Sequence, residues 1–338
     1  MIKNLYVVGY PSRVGGADTE LDHQIHCWQA LGVEVHLVPT GPLDANALAM
    51  RMDRRGCVVH PPCDWNACRG QHVISYCNGE FLSSLEQIKR VARTTTFVNC
   101  MCWLFEKEKQ AHARGWIDYF LYQTDHARLR VQEELLRINS TFRWRHVRPY
   151  FHAAEFPFFS GRDTDRFRFG RVSREDCDKF HRSQLWVYET MVAPVLKEGH
   201  VLGMNDEIRK KCGKEPNWIT CHRAGAVPVK DVYRRIECVI QMSDTYENLP
   251  RVGFEAMASG CLLIVDNRGG WKELVQHKQT GFLCDDEREF AYYASRAAFE
   301  PEERRQMTLA ARRWLDEHWG LESAKREWTS FFEVLAKH

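Results

Sequence analysis

Long apolar segments are absent from this sequence. The first ten residues, MIKNLYVVGY, hold only a short apolar run, and the longest later one is CLLIV at residues 261–265. A signal peptide needs an apolar core of roughly 7–15 residues, and a membrane-spanning helix needs about 20. The sequence therefore predicts a cytoplasmic protein with no secretory leader and no stable membrane span.

An even, regularly spaced set of cysteines is also missing. The chain has 13 cysteines, an odd number, scattered along its length. In a cytoplasmic protein such cysteines are reduced thiols. Cys63 and Cys68 lie near His60, but their spacing matches no common zinc finger, and Cys100 and Cys102 are too close together. Buried thiols are the favoured interpretation, and we predict no metal site.

No excess of one charge is present either. Lys and Arg number 47 against 45 for Asp and Glu, which gives a formal net charge of +2. Because non-specific nucleic-acid binding comes from neutralising phosphates, this balance argues against a general nucleic-acid-binding protein. The contents of 44% hydrophobic and 27% charged residues are typical of a globular protein, and a length of 338 residues predicts two domains.

What the sequence does contain is an alternation of short apolar runs and amphipathic segments. Leu21, Ile25 and Trp28 show the helical spacing of one such segment. Strands are predicted at 5–8, 33–38, 73–76, 95–98 and 119–122, and again at 167–170, 201–204, 218–221, 238–242 and 262–265. Alternating strands and helices predict an α/β protein with parallel sheets covered by helices on both faces.

The repeated pattern predicts two Rossmann-like domains. The change-over falls near residues 151–166, which hold Pro157, Gly161 and several polar residues. We therefore predict domains at 1–160 and 161–338. Residues 301–335 are expected to be largely helical, with Gly320 as an interruption. Ligands of open parallel sheets bind at the carboxyl ends of the strands, so we expect the site there.

The strongest functional motif is ENLPRVGFE at residues 247–255. Glu247 follows a predicted buried strand, Pro250 suits the first turn of a helix, and Glu255 lies inside that helix. A helix N-terminus offers free N–H groups to phosphate, and carboxylates accept hydrogen bonds from sugar hydroxyls. In this setting a ligand site is favoured over a pair of solvated helix charges.

The segment 243–275 resembles the signature of retaining GT-B glycosyltransferases, closest to family 4, the glycosyl transferases group 1. Its elements are the E-x7-E pair Glu247 and Glu255, the EAMA-x-G run ending at Gly260, the Gly269-Gly270 pair and ELV at 273–275. TGFL at 280–283 fits the element that follows in the family. The resemblance covers the second half and, more weakly, the first. It implies a GT-B architecture of two facing Rossmann-like domains, with a last helix at about 321–338 that returns to the N-terminal domain.

The resemblance also assigns roles around the two glutamates. Glu247 is expected to contact hydroxyls of the donor sugar, and Glu255 the ribose of its nucleotide. Asn248, Leu249 and Pro250 complete this part of the predicted donor site, where relatives often have Gly-Phe-Gly. Because proline has no N–H, the backbone contacts to the diphosphate fall to its neighbours.

A second glycine pair follows the first predicted strand. Gly15 and Gly16 resemble the family's glycines that approach the donor diphosphate. Only glycine lets the backbone come so close to a ligand without an intervening side chain. The alternative is a plain strand-to-helix turn.

Arg171 and Lys179 resemble the strand-end G-R…K of the family, which grips the diphosphate. With Glu247 they form the predicted catalytic set, in which the two cations stabilise the leaving group. A solvated basic turn is the alternative. On the functional interpretation, Arg171→Ala should depress turnover strongly with only a modest loss of stability.

The acceptor side gives weaker signals. Relatives often carry a histidine where this chain has NCMCW at 99–103. The acceptor-side candidates are Asn99, in this segment, and Arg13, in the loop after the first predicted strand. A basic stretch also runs through residues 128–148, with arginines among aromatic residues. Such a pattern binds anionic glycans or single-stranded nucleic acid in some proteins. A solvated helix face followed by a strand is the favoured interpretation.

The resemblance implies a retaining glycosyltransferase that moves a sugar from a nucleoside diphosphate sugar to an acceptor hydroxyl. The expected donor is a UDP- or GDP-sugar, the displacement occurs on one face of the sugar, and neither a cofactor nor a metal is required. The acceptor is a glycan, a small molecule or, as a minority alternative, a nucleic-acid base. A GT-B epimerase or phosphorylase and a sugar-nucleotide-binding protein without transferase activity remain alternatives.

Overall fold

A computed structural model describes residues 1–9, 16–41, 55–160, 162 and 165–338. The predicted site residues Arg13 and Gly15 lie outside these ranges. The chain divides into two compact units, the first comprising Met1–His152 with Trp319–His338 and the second Ala153–His318. The division therefore falls between residues 152 and 153, where the sequence suggested 160 and 161. Within the described ranges, no helix is long and apolar enough to span a bilayer.

The first unit is built on a seven-stranded parallel sheet in the order β3-β2-β1-β4-β5-β6-β7. Its strands are β1 (Asn4–Val8), β2 (Glu34–Val38), β3 (Val58–Val59), β4 (His72–Tyr76), β5 (Thr94–Val98), β6 (Tyr119–Tyr122) and β7 (Arg143–His146). Its helices up to this point are α1 (Gly16–Ala30), α2 (Gly79–Val91), α3 (Glu106–Ala113) and α4 (Asp125–Ile138). Strands β4, β5 and β6 are buried along their whole length, as expected for a sheet covered on both faces.

Helix α2 shows how the sequence specifies these covering helices. The side chain of Asn78 caps its first turn by accepting a hydrogen bond from the Phe81 backbone N–H at 2.8 Å. Phe81, Leu85 and Ile88, spaced for one helical face, are fully buried. The apolar spacing therefore orients the helix, and the cap fixes where it begins.

The second unit is built on a six-stranded parallel sheet in the order β10-β9-β8-β11-β12-β13. Its strands are β8 (Arg166–Val172), β9 (Leu196–Leu202), β10 (Ile219–His222), β11 (Cys238–Gln241), β12 (Leu262–Asp266) and β13 (Gly281–Cys284). Its helices are α5 (Gln184–Thr190), α6 (Asp206–Cys212), α7 (Val229–Arg235), α8 (Arg251–Ala258), α9 (Trp271–Leu274), α10 (Glu287–Phe299) and α11 (Pro301–Trp319). The topological switch point lies at β8, which has β9 on one side and β11 on the other.

The last helix, α12 (Leu321–Leu335), belongs to the first unit. Gly320 separates it from α11, at the predicted interruption. Its Trp328 packs edge-on against Trp28 of α1, with ring centroids 5.0 Å apart, and both rings are fully buried. The indole N–H of Trp328 donates to the side-chain oxygen of Gln24 at 3.0 Å. The C-terminal segment thus completes the core of the first unit.

Several element boundaries differ from the sequence-based prediction. Strand β9 begins at Leu196, five residues before the predicted 201. The prediction missed its first residues because Lys197 and Glu198 are polar and interrupt the apolar pattern. The short strands β3 and β13 were not predicted, whereas β7 is the strand expected after the helix in the basic stretch at 128–148. Helix α8 begins at Arg251, so Pro250 is its N-cap and precedes the first turn.

Candidate functional site

The candidate site lies at the carboxyl edge of the second sheet, at its switch point. Three connections meet there: residues 173–183 after β8, residues 242–250 after β11 and residues 267–270 after β12. The carboxyl edge at a switch point is where open parallel sheets bind their ligands. The predicted residues Lys179 and Glu247 lie on the first two connections.

Lys179 and Glu247 form an ion pair in which the ammonium group contacts both carboxylate oxygens. The Lys179 Nζ lies 2.8 Å from both carboxylate oxygens of Glu247. Their side chains are only 16% and 15% exposed. Backbone bonds hold the two loops together beside this pair, since the carbonyl of Asp178 accepts from the N–H groups of Asp244 and Thr245 at 3.0 and 3.2 Å. The structure thus brings together two residues that the sequence separates by 68 positions.

The Gly269-Gly270 pair fits against the backbone that carries Glu247. The N–H of Gly270 donates to the Glu247 carbonyl at 2.8 Å. A Cβ on Gly270 would lie 1.6 Å from the carbonyl oxygen of Asn248, and one on Gly269 would lie 2.6 Å from that of Glu247. Gly269 also has a φ of +61°. Only glycine fits at these two positions, and the pair sets the position of the Glu247 loop.

The residues after Glu247 continue into α8. Asn248 and Pro250 are buried, and Leu249 is half-buried. The carbonyl of Pro250 accepts from the N–H of Gly253 at 2.9 Å, which starts the helix. These positions stand at the N-terminal end of α8, where the positive end of the helix dipole favours an anion. Their predicted contacts with the donor remain predictions.

Glu255 lies in the second turn of α8, is partly buried and contacts Tyr233 of α7. Tyr233 Oη lies 3.3 Å from its Oε2 and donates toward it. Burial raises the pKa of Glu255 to about 7, and the charges of Arg251 and Lys230 act in the opposite direction. A carboxyl group with this pKa changes its charge near neutral pH, so its capacity to accept hydrogen bonds depends on pH there.

Arg171 is fully buried at the end of β8. Its guanidinium donates to Gln184 Oε1 at 2.6 Å, to the carbonyl of Met242 at 3.1 Å and to the carbonyl of Lys179 at 2.5 Å. It lies 3.7 Å from the ring centroid of Phe180. Burial lowers the pKa of this guanidinium from its ordinary value. The predicted contact of Arg171 with the diphosphate remains a prediction. Because the side chain is fully buried and forms three hydrogen bonds, we expect Arg171→Ala to cost more stability than the sequence suggested.

Two residues of this region were missed in the sequence. Gln184, in the first turn of α5, is buried and bonds to Arg171 and to strand β11. Asp266, the last residue of β12, accepts from the backbone and hydroxyl of Ser243 at 3.0 and 2.9 Å, and burial raises its pKa to about 6. The signal for Asp266 was an acidic residue directly after an apolar strand. Gln184 gave no signal of its own.

The first unit holds the remaining predicted residues. Gly16 is the first residue of α1 and is exposed. Asn99 follows β5 and is buried; its Nδ2 donates to the carbonyl of Trp103 at 2.9 Å and lies 3.1 Å from Glu108 Oε1, while its Oδ1 accepts from the Met101 N–H. These bonds keep Asn99 within its own loop, and its predicted contact with an acceptor remains a prediction.

The basic stretch at 128–148 forms α4 and β7. Arg128 pairs with Asp125 at 2.9 Å and lies 5.5 Å from the ring centroid of Trp144, and Arg137 pairs with Glu133. Ion pairs at these spacings are typical of a solvated helix face, the interpretation that the sequence favoured. Among the described cysteines, Cys27, Cys68, Cys238, Cys261 and Cys284 are buried, as the sequence-based interpretation expected of structural thiols.

Comparison with known proteins was made by sequence and by fold. Residues 200–314, which include Glu247 and Glu255, match the model of the family Glycosyl transferases group 1. Over 96 residues the chain is 34% identical to the putative glycosyltransferase YtcC of Bacillus subtilis. That alignment covers 27% of this chain and 24% of YtcC, so this chain matches about a quarter of the length of that relative.

Several solved structures match over essentially the full length, among them the following two. HepE of Anabaena, in complex with UDP and glucose, has a TM-score of 0.74 at 13% identity, covering 100% of both chains. Sucrose-phosphate synthase of Thermosynechococcus elongatus has a TM-score of 0.73 at 13% identity, covering 99% of this chain and 100% of that one. At this identity the likeness shows the fold, and the predicted α/β class with GT-B architecture is confirmed.

Proposed function

We propose, from the premise that this chain has the GT-B fold and carries a glycosyl transferases group 1 domain, that it transfers a sugar from a nucleoside diphosphate sugar to an acceptor hydroxyl. The donor binds at the carboxyl edge of the second sheet, where Lys179 and Glu247 meet. One observation supports this most directly: a half-buried cation and a half-buried carboxylate lie together where the resemblance puts the diphosphate and the donor sugar.

When the donor binds, Lys179 and Glu247 each replace part of their mutual contact with a contact to the donor. Lys179 exchanges one carboxylate oxygen for an oxygen of the diphosphate, and Glu247 turns its freed lone pairs to hydroxyls of the sugar. In the ligand-free protein the pair keeps two poorly hydrated charges from being buried alone, which would cost several kcal/mol each. The pair therefore keeps the site charged and ordered before the donor binds.

Glu255 completes the donor site by accepting hydrogen bonds from the ribose hydroxyls. The carboxylate is the form that accepts two such bonds, because a protonated carboxyl must donate one of its own. With the pKa of Glu255 raised to about 7 by burial, nucleotide affinity should rise with pH between about 6 and 8.

The proposed chemistry is a same-face displacement with retention. The bond from the anomeric carbon to the leaving phosphate oxygen breaks, and a bond to the acceptor oxygen forms on the same face. The acceptor's proton passes to the departing phosphate oxygen. Lys179 stabilises the negative charge that builds on the diphosphate, a role that commonly supplies much of the catalysis. In this proposal no metal ion takes part.

The proposed donor is a UDP-sugar first and a GDP-sugar second, because the full-length structural neighbour HepE holds UDP and glucose. The proposed acceptor is a glycan or small molecule that offers a hydroxyl group; a nucleic-acid base is the lesser alternative. We also propose a cytoplasmic location, which the odd number and scattered spacing of the 13 cysteines support.

A thermal-shift panel with UDP-, GDP-, ADP-, dTDP- and CMP-sugars tests the proposal. A ligand at about 100 times its Kd adds about 2.7 kcal/mol of stability, which moves the melting temperature by several degrees. One nucleotide should stabilise the wild type, and Glu247→Gln should reduce the shift for the sugar nucleotide more than for the free nucleotide. A wild type that responds to none of them would contradict the proposal.

The donor identified in this way then decides between the remaining activities. Incubation with a panel of simple sugar and polyol acceptors should give a product whose anomeric configuration, read by proton NMR, matches that of the donor. An inverted product would contradict retention, and activity abolished by EDTA would contradict metal independence. Isomerised donor without acceptor would indicate an epimerase, and binding without turnover would indicate a binding protein.

A further inference from the structure

The hydrogen bonds of Arg171 reach both loops that carry the proposed donor site. One Nη1–H donates to the carbonyl of Met242, the first residue after β11 and the start of the Glu247 loop. Nη2 donates to the carbonyl of Lys179 itself. All of these acceptors are neutral oxygens within the protein. The guanidinium therefore ties the backbone of the lysine to the base of the glutamate's loop.

Gln184 forms the other half of this tie. Its Oε1 accepts from Arg171 Nη1 at 2.6 Å and from the Met242 backbone N–H at 2.9 Å, and its Nε2 donates to the carbonyl of Ile240 at 3.2 Å. The side chain is 1% exposed. Gln184 thus fixes the Arg171 guanidinium relative to strand β11, and its own position is fixed by α5.

The surroundings of Arg171 leave it no open approach to a ligand. The side chain is 0% exposed, and the fully buried ring of Phe180 lies beneath its guanidinium. The Nη donors are taken by Gln184 and by the carbonyls of Met242 and Lys179, and the buried Nε has no hydrogen-bond partner among the described residues. The ammonium of Lys179, in contrast, is partly exposed and paired with a carboxylate that can release it.

We propose that Arg171 and Gln184 are positioning residues that act on the donor through Lys179 and Glu247, and that Arg171 does not itself touch the diphosphate. This inference rests on the proposed function. It replaces the direct phosphate grip suggested by the sequence with an indirect one. The physical reason is that one buried guanidinium fixes two loops. The side chains on these loops must hold the diphosphate and the sugar to within about 1 Å of their best positions.

A double-mutant cycle on UDP affinity, measured by calorimetry, tests this. Arg171→Lys keeps the charge but loses the fork of donors, Gln184→Met keeps the size but loses the acceptor, and each is made in the wild type and in Lys179→Met. In the wild type, each should weaken UDP binding about tenfold, the size of one lost charge-assisted hydrogen bond. In the Lys179→Met background, each should weaken it less than about twofold, because the residue acted upon is gone.

Two outcomes of the double-mutant cycle would contradict the inference. If Arg171→Lys weakens UDP binding about tenfold in both backgrounds, Arg171 contacts the diphosphate by itself and the inference is wrong. No effect in either background would also contradict it, because the tie would then not matter to the site. Gln184→Glu keeps the oxygen that accepts from Arg171 but loses the N–H that donates to the Ile240 carbonyl, so it should recover only part of the UDP affinity lost in Gln184→Met.

A matched control separates positioning from a general loss of packing. Arg304 is a largely buried arginine of the same unit that pairs with Glu237 and lies 5.5 Å from the ring centroid of Phe167. Arg304→Lys should lower the melting temperature without changing UDP affinity. Wild-type binding is read separately: a wild type that binds neither UDP nor GDP contradicts the proposed function, whereas an additive cycle with normal wild-type binding contradicts only this inference.

Discussion

At the scale of single residues, burial changes what a charged side chain does. Arg171 and Lys179 form one basic motif in the sequence, yet one is fully buried and the other reaches a carboxylate at the edge of the site. Sequence spacing groups residues by type and order, whereas exposure depends on the ring and carbonyls packed around each one. The difference decides which of the two can exchange its partner for a ligand.

Arg171→Ala is therefore expected to destabilise the protein strongly. The substitution opens a cavity beneath the site and leaves the carbonyls of Met242 and Lys179 without their donor. Together these effects should cost about 3–5 kcal/mol of unfolding free energy. Urea denaturation followed by circular dichroism measures it, and a loss below about 1 kcal/mol would show that the tie contributes little.

Glu255→Gln should stabilise the protein at high pH and not at low pH. The pKa of Glu255 is raised by burial from an ordinary value of 4.5 to about 7 in the folded state. The protonated carboxyl is therefore favoured on folding, and stability falls as pH rises from about 4.5 to above 7. The glutamine variant does not titrate, so the two proteins should differ by about 3 kcal/mol at pH 8.5 and little at pH 4.5.

Urea denaturation at both pH values measures that difference. UDP affinity is the second readout, since the variant should bind more weakly at pH 8 and lose the wild type's dependence on pH. A variant whose stability tracks the wild type at both pH values would contradict the raised pKa.

At the scale of elements, the site is made by connections, and their geometry depends on close backbone contacts. Helix α8 and strand β12 were predicted from their apolar pattern, and the structure contains both with small shifts at their ends. The sequence also marked Gly269 and Gly270 through the family resemblance. What it did not show is that their missing side chains make room for the backbone of Glu247 and Asn248.

Gly270→Ala should consequently disable donor binding. Its Cβ would overlap the carbonyl of Asn248, so the Glu247 loop must move and the ion pair with Lys179 must change. We expect UDP affinity to fall at least about tenfold, because a displacement of about 1 Å is enough for such a loss. Gly79→Ala is the control, since a Cβ there meets nothing within 4 Å. Calorimetric titration with UDP compares the two, and equal affinities would argue against this use of the glycine pair.

At the scale of the whole molecule, the C-terminal segment decides the stability of the first unit. Trp328 buries its indole against Trp28 and donates to Gln24, which in turn donates to the carbonyl of Tyr150 at 3.1 Å. The last helix, Leu321–Leu335, therefore contributes core side chains to a unit whose sheet strands all lie between Asn4 and His146. Loss of this contact should loosen α1 along with α12.

Trp328→Ala is expected to cost about 3–5 kcal/mol, the usual range for truncating a buried aromatic residue. Hydrogen exchange should show faster exchange in α1 and α12, with β11 and β12 of the second unit unchanged. Trp186, which is 43% exposed, provides the control, and Trp186→Ala should change the unfolding free energy by less than about 0.5 kcal/mol. Equal losses for the two variants would contradict the role given to Trp328.

The sequence by itself determined the class of this protein. Apolar runs of strand length alternating with amphipathic segments require parallel sheets between helices, and the segment from Glu247 to Gly270 identifies the glycosyltransferase-like half. These features are local, since spacing along the chain decides which face of an element is apolar. They were therefore readable before any fold was known.

Only the tertiary structure decided how the site is assembled. It brought Lys179 onto Glu247, buried Arg171 and revealed Gln184 as its partner. It also divided the chain between residues 152 and 153, where the sequence suggested a later boundary. Such outcomes depend on contacts between segments far apart in sequence, where the depth of burial and the reach of one backbone to another are set by packing and not by residue type.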